Sequence, residues 1–128
     1  MKKLIITLIL LFTTIELLAY SSKVSAAYAI GIFDENGNGE NIQHVRKTKH
    51  DYNGVIYSKI VVFGRLNGVL PEVKIGNSKG HFEKAIPIYN KKNIKIAQEM
   101  TYKHYSVNKG YFEVRFSNKL YDTKVFVK

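Results

Sequence analysis

Residues 53–68 read NGVIYSKIVVFGRLNG, an apolar run enclosed by two Asn-Gly pairs. An extended chain places alternate side chains on opposite faces, and here both faces are apolar. One face would carry Val55, Tyr57, Val61 and Phe63, broken by Lys59, and the other would carry Ile56, Ile60 and Val62. A strand that is apolar on both faces is typical of the centre of a sheet covered on each side. The sequence therefore predicts a central strand here.

Turn signals lie on both sides of this strand and continue along the chain. Asn-Gly is the strongest short hairpin signal because both residues tolerate positive φ. Such pairs lie at residues 36–37, 38–39, 53–54 and 67–68, and looser clusters of turn residues follow at 77–80, 90–93 and 108–110. Turns at this spacing suit short strands and leave little room for helices.

The segments between the turns have the composition of strands. They lie at 28–33, 69–75, 84–89, 111–116 and 121–127, and Pro71 favours an edge or a strand start. About seven or eight short strands in about a hundred residues predict two antiparallel sheets packed face to face, or a barrel. We therefore expect an all-β protein: a single small antiparallel β-sandwich, Ig-like or barrel-like, after an N-terminal signal peptide.

Residues 94–105 allow two interpretations. Ile94, Ile96, Met100 and Tyr102 fit a period of two, with Gln98 as the exception. A helix capped by Asn93, with Glu99 and Lys103 four residues apart, is the alternative. We favour a strand because Ile, Thr and Tyr suit a pleated surface.

The N-terminal segment has the layout of a secretory signal peptide. Lys2 and Lys3 precede an apolar run from Leu4 to Phe12, and Val24-Ser25-Ala26 offers small residues to a signal peptidase. The apolar stretch is shorter than the roughly 20 residues that a membrane span requires. We therefore favour a cleaved leader over a retained anchor.

Cleavage after Ala26 predicts a signal peptide of residues 1–26 and one β-sandwich domain of residues 27–128. Ala27-Tyr28-Ala29 offers a second site, with cleavage after Ala29. The product would be secreted and extracellular, with no integral membrane segment after processing. The chain contains no cysteine, so we expect packing and backbone pairing, without disulfides, to stabilise it.

The chain is strongly basic, with a formal net charge of +10. The predicted leader contains three lysines and one glutamate, so its removal leaves +8. Lysine supplies most of this charge. This composition favours diffuse electrostatic attraction to polyanions over the bidentate hydrogen bonding that arginine provides. Extracellular candidates are anionic wall polymers, lipid headgroups, acidic polysaccharides and nucleic acid. The alternative is a charge that serves solubility alone.

Four short runs resemble the YolA-like family of small secreted proteins from bacilli. They are KHDYNG at 49–54, IVVFG at 60–64, IPIYN at 86–90 and GYF at 110–112. The resemblance implies export and a compact β fold, and it supplies no catalytic residues because the family has no established function. Members carry Gly-Tyr-Gly after the central strand, whereas this chain has Gly64-Arg65-Leu66.

Residues 34–39, DENGNG, fit the first half of a calcium loop. Asp34, Asn36 and Asn38 would place oxygen ligands at alternate positions around the cation. The twelfth position should be a bidentate glutamate but is Val45, and Glu40 lies nearby at the wrong spacing. We therefore favour an Asn- and Gly-rich hairpin tip, and we expect no metal and no cofactor.

The four histidines could bind a metal ion or act as catalytic residues of a nuclease. No local spacing among them matches a zinc site, and we favour surface or strand-end histidines: His44, His50, His81 and His104. The enzymatic alternative is a small secreted nuclease or hydrolase that uses His50 and Asp51 as acid and base, with nearby cations on the phosphate. A cysteine nucleophile is excluded, and no G-x-S-x-G motif is present.

Two clusters of basic residues are the favoured binding site. They are Arg46, Lys47 and Lys49, and Lys91, Lys92 and Lys95. Tyr102 and Tyr105 lie beside Lys103, a pattern that suits single-stranded nucleic acid, but we favour the explanation that these tyrosines are half-buried cross-strand partners. The leading hypothesis is a non-enzymatic domain, an effector or bacteriocin-like factor, that binds an anionic surface polymer or a protein partner.

Overall fold

The computed structural model describes residues 23–128, and this range forms only strands, turns and loops. Residues 1–22, which hold most of the predicted leader, lie outside the described residues. The strands form two antiparallel sheets, which confirms the predicted all-β sandwich. Their bounds are β1 (Ala26–Asp34), β2 (Gly39–Asn41), β3 (Gly54–Phe63), β4 (Glu72–Ile75), β5 (Ser78–Lys79), β6 (His81–Tyr89), β7 (Lys95–Val107), β8 (Gly110–Phe116), β9 (Lys119–Asp122) and β10 (Phe126–Val127).

The first sheet has the order β2-β1-β3-β7-β6, and the second has β10-β8-β4-β5 with β9 paired to β8. β3 lies at the centre of the first sheet, as its sequence predicts. Ile56, Ile60 and Val62 are buried in the core between the sheets. Val61 and Phe63 are buried in a smaller cluster on the opposite face of the strand.

The ambiguous segment is the 13-residue strand β7, so the strand prediction is confirmed and the helical alternative is wrong. β7 pairs with β3 on one side and β6 on the other, which satisfies its backbone groups without a helix. Glu99 forms an ion pair with Lys59 of β3 (Oε1 to Nζ, 3.4 Å). Tertiary pairing decides the conformation of this segment.

The end of the chain differs from the single closing strand that residues 121–127 predict. β9 ends at Asp122, whose buried carboxylate accepts hydrogen bonds from the Lys124 N–H (3.1 Å) and the Ala29 N–H (2.9 Å). These bonds turn the chain away from β8 and attach the turn to β1. β10 then pairs with the beginning of β8.

His104 corrects the expectation that the histidines lie at the surface or at strand ends. It extends the alternation of Met100 and Tyr102 into the core and is fully buried. Its Nδ1 lies 3.1 Å from the Ser78 carbonyl oxygen, and its Nε2 lies 2.8 Å from Ser58 Oγ. A carbonyl only accepts, so Nδ1 carries the proton and Nε2 accepts from the Ser58 hydroxyl.

Burial lowers the pKa of His104 to about 4 and thereby keeps the ring neutral. The hydrogen bond to the Ser78 carbonyl acts in the opposite direction, and the nearby His81 lowers the pKa further. The ring also fills the space beside Gly80, where an added Cβ would lie 2.9 Å from ring atoms. The imidazole is therefore a neutral part of the core.

We expect the free energy of unfolding to fall on acidification through the ordinary histidine pKa. The unfolded chain takes up a proton on His104 near pH 6.5 and the folded chain only near pH 4, so protonation favours unfolding between these values. The loss from pH 7 to pH 5 is about 2 kcal/mol. Urea unfolding at both pH values measures this loss, and His104→Gln is the control that removes the contribution of His104 to the pH dependence. Equal stability of the wild type at both pH values would contradict a neutral, buried His104.

Candidate functional site

A basic groove lies at the end of the sandwich where β7 turns into β8. It has a volume of about 480 Å³ and is lined by Lys47, Asp51, Tyr52, Asn53, Asn108, Lys109, Phe126 and Lys128. Its three lysines come from the loop between β2 and β3, from the β7–β8 turn and from the segment after β10. We call these eight residues the basic groove.

The loop between β2 and β3 forms one wall because it runs beside β10. The Phe126 N–H donates to the Arg46 carbonyl (2.8 Å), and the Thr48 N–H donates to the Phe126 carbonyl (3.0 Å). The Tyr52 N–H donates to the carbonyl of Lys128 (2.8 Å). These bonds hold Lys47 and Lys128 on the same rim.

Glu40 of β2 holds the same loop from the other side. Its Oε1 accepts the Lys49 N–H (2.8 Å), and its Oε2 accepts the His50 N–H (3.1 Å) and the Tyr52 hydroxyl (2.7 Å). Partial burial opposes ionisation, but these hydrogen bonds outweigh it and lower the pKa of Glu40. Burial and the Glu40 carboxylate raise the pKa of Tyr52. One ionised carboxylate thus shapes the groove wall.

The groove is positive and has a partly aromatic lining. The only acidic member of its lining is Asp51, whose side chain is 86% exposed and lies 4.0 Å from Lys128 Nζ, a loose and solvated ion pair. Phe126 contacts Tyr111 edge to face at 5.2 Å between ring centroids. Three ammonium groups beside the side-chain amides of Asn53 and Asn108 suit phosphate or carboxylate oxygens.

The structure separates the two basic clusters that the sequence singles out. Of the first cluster, Lys47 lines the groove, whereas Arg46 lines a neighbouring pocket and Lys49 contributes its backbone N–H to Glu40. The second cluster lies at the β6–β7 turn and the start of β7. At about 3.3 Å per residue, β7 places it roughly 40 Å from the groove.

Sequence reasoning missed Lys109 and Lys128. Each is an isolated lysine in the sequence, and only the pairing of β10 with β8 brings Lys128 near the β7–β8 turn. The sequence Asn108-Lys109-Gly110 predicts a turn, but a turn signal carries no information on which side chains converge. The loop's own basic cluster was the only signal for this site.

The residues of the nuclease alternative do not form an enclosed site. His50 has an exposed side chain, and it is positioned by its backbone: the N–H donates to Glu40, and the carbonyl accepts from the Thr48 hydroxyl (2.9 Å). Asp51 faces solvent beside Lys128. Asp51 belongs to the groove lining but is 86% exposed, and His50 is not part of that lining, so the two side chains are not enclosed together as a general acid and base require.

Asp34 closes the hairpin between β1 and β2. Its Oδ1 accepts the backbone N–H groups of Asn36 (2.9 Å) and Asn38 (3.0 Å), an arrangement common in Asx turns. Residues 23–128 contain no group of three or more His, Asp or Glu side chains that could hold a metal ion. The hydrogen bonds of the Asp34 carboxylate thus form the hairpin turn that the Asn-Gly pairs predict at this position.

Comparisons with protein-family models, with curated proteins and with solved structures found no match to this chain. The resemblance to the YolA-like family therefore stays a prediction. Within the described part of the chain, no helix is long and apolar enough to cross a membrane.

Removing the Glu40 carboxylate should loosen the groove wall. In Glu40→Ala, the Lys49 and His50 N–H groups lose their acceptor, which we expect to cost about 1–3 kcal/mol of the free energy of unfolding and to speed hydrogen exchange at these two amides. Glu35→Ala in the exposed β1–β2 turn removes the same charge and serves as the control. Unchanged exchange at Lys49 and His50 in Glu40→Ala would contradict this role.

Proposed function

We propose that this protein is a secreted, non-enzymatic domain that binds an anionic polymer in the basic groove. The observation that carries the proposal is the convergence of Lys47, Lys109 and Lys128 in one cavity. Like charges that line one cavity repel one another, and a bound polyanion offsets that repulsion. The ligand class is a polymer that bears phosphate or carboxylate groups outside the cytoplasmic membrane.

Export is the second part of the proposal. The Ser25 N–H donates to the Phe63 carbonyl (2.9 Å), and β1 begins at Ala26. Cleavage after Ala26 would keep Ala27, Tyr28 and Ala29 paired with β3, whereas cleavage after Ala29 would remove this part of β1. Cleavage after Ala26 removes the Ser25 bond and the pairing of Ala26 with Phe63, but it keeps more of β1 than cleavage after Ala29 does. This smaller loss favours the first site, and the mature protein would then span residues 27–128.

The groove suits a flexible polymer better than a small molecule. It is open to solvent along one side, and its cations lie on long side chains that can follow a variable backbone. Phe126 and Tyr52 belong to its lining, so aromatic surface is present against which sugar or alkyl parts of a polymer can pack. Affinity should therefore come mainly from charge and fall as salt rises.

The groove lysines should matter more than the net charge. We expect Lys47→Ala/Lys109→Ala/Lys128→Ala to weaken binding at least about tenfold, equivalent to about 1.4 kcal/mol. The control Lys79→Ala/Lys119→Ala/Lys124→Ala removes the same charge from residues outside the groove lining. Elution from immobilised polyphosphate and from immobilised polygalacturonate across a salt gradient measures the effect and separates the two ligand chemistries.

Equal weakening of both triple variants would show that diffuse charge, and not the groove, binds the polymer. Retention of the wild type that does not change between low and high salt would contradict an electrostatic site altogether. Retention on only one of the two columns would identify phosphate or carboxylate as the recognised group.

The same protein should not hydrolyse nucleic acid. We expect no cleavage of RNA or DNA above background, because His50 and Asp51 are both exposed and only Asp51 belongs to the groove lining. Gel assays of the wild type and of His50→Ala check this. Cleavage by the wild type that disappears in His50→Ala would instead establish the nuclease alternative.

A further inference from the structure

The β6–β7 hairpin ends in a tip that combines exposed apolar side chains with lysines. We define the hairpin tip as residues 89–95, which read YNKKNIK. Tyr89 is 49% exposed and Ile94 is 47% exposed, and Ile86, just behind the tip on β6, is 48% exposed. A turn of this kind requires Asn or Gly but no isoleucine or tyrosine, so the turn itself does not account for these exposed side chains.

Asn90 makes the tip rigid. Its Oδ1 accepts the N–H groups of Lys92 (2.9 Å) and Ile94 (3.0 Å), and its own N–H donates to the Ile94 carbonyl (2.9 Å). Asn93 completes the turn with a φ of 63°, a left-handed conformation that asparagine tolerates. Tyr89 and Ile94 are therefore held outwards by the backbone.

The tip is also fixed to the body of the sheet. Directly behind it, Ile88, Ile96 and Ala97 are buried in a cluster with Phe63 of β3. Ile88 of β6 lies opposite Ala97 of β7, and Ala97 lies opposite Phe63 of β3, so these residues form a row across three strands. The tip is thus joined through this packing and pairing to the central strand.

Along the sequence, the segment that forms the tip and its flanks carries charge of one sign. Residues 84–98 contain Lys84, Lys91, Lys92 and Lys95 and no acidic residue. The next acid along β7, Glu99, is engaged with Lys59 of β3. The region therefore presents cations beside apolar side chains.

We infer that the hairpin tip docks the protein on the surface of an anionic lipid bilayer. Lysines attract anionic headgroups, tyrosine suits the interface between headgroups and acyl chains, and isoleucine gains by entering the acyl region. A hydrophilic polymer would satisfy the lysines but would leave Ile86 and Ile94 in water. This combination favours a bilayer over the polymer class proposed for the groove.

The position of the tip fits such docking. It lies at the opposite end of β7 from the basic groove, so a protein docked by its tip keeps the groove directed away from the bilayer. The inference is independent of the proposed function, since the tip and the groove lining share no residue.

Tryptophan fluorescence can report on the tip alone, because the chain contains no tryptophan. In the full chain, Ile94→Trp places the reporter at the tip, and Tyr111→Trp, at a residue 53% exposed near the groove, is the matched control. We expect a blue shift of the Ile94→Trp emission with phosphatidylglycerol vesicles, none with phosphatidylcholine vesicles, and none for Tyr111→Trp with either. Both variants contain the predicted apolar leader, so vesicle binding through the leader would be the same for both. Only the position of the tryptophan distinguishes docking by the tip.

A second pair of variants tests the cations. Adding Lys91→Gln/Lys92→Gln to Ile94→Trp should raise the lipid concentration for half-maximal shift at least about tenfold, whereas Lys79→Gln/Lys119→Gln should change it little. The inference is overturned if Ile94→Trp shows no shift with anionic vesicles, or if both reporters shift alike. It is also overturned if soluble polyphosphate produces the same shift, which would make the tip a polymer site. Loss of groove binding in the variants of the preceding section would leave these outcomes unchanged.

Discussion

The pairing of β3 with β7 is the interaction on which the rest of this structure depends. It runs from Gly54 opposite Val107 to Phe63 opposite Ala97. Both strands contribute buried apolar side chains to two clusters, one of them the core between the sheets. The long β7 also separates the two ends of the molecule. One end carries the basic groove and the other carries the hairpin tip. The distance between these two features is a consequence of strand length.

The same pairing explains how a polar residue is accommodated in the core. Register places His104 of β7 close to Ser58 of β3, whose hydroxyl serves one ring nitrogen, while the Ser78 carbonyl of β5 serves the other. A buried imidazole with both nitrogens satisfied stays neutral, because a charged form would lose solvation without gaining a counter-ion. The side chains of Asp122 and Glu40 are likewise hydrogen-bonded, with backbone N–H groups as donors. In each case a loop or turn is attached to a sheet through one side chain.

Positive charge on this protein is organised by topology more than by local sequence. The lysines at 91, 92 and 95 stay together because one hairpin carries them, and apolar neighbours give that cluster its character. The groove lysines come together only because the segment after β10 returns beside the 46–52 loop and the β7–β8 turn. Under the two proposals, one end of a rigid sandwich contacts a bilayer and the other binds a polymer. Such a molecule would link an anionic bilayer to an anionic polymer.

The amino-acid sequence by itself determined the class of the fold, the central strand and most of the turns, because alternation of apolar residues and Asn-Gly pairs act over a few neighbours. It also indicated a strand at 94–105 and the exposed Asp34 hairpin. It did not locate His104 in the core, although the alternation of Met100 and Tyr102 extends to it. The groove and the break after Asp122 were decided only by the tertiary structure. Both depend on contacts between residues far apart along the chain, and local spacing carries no information about which distant segments become neighbours.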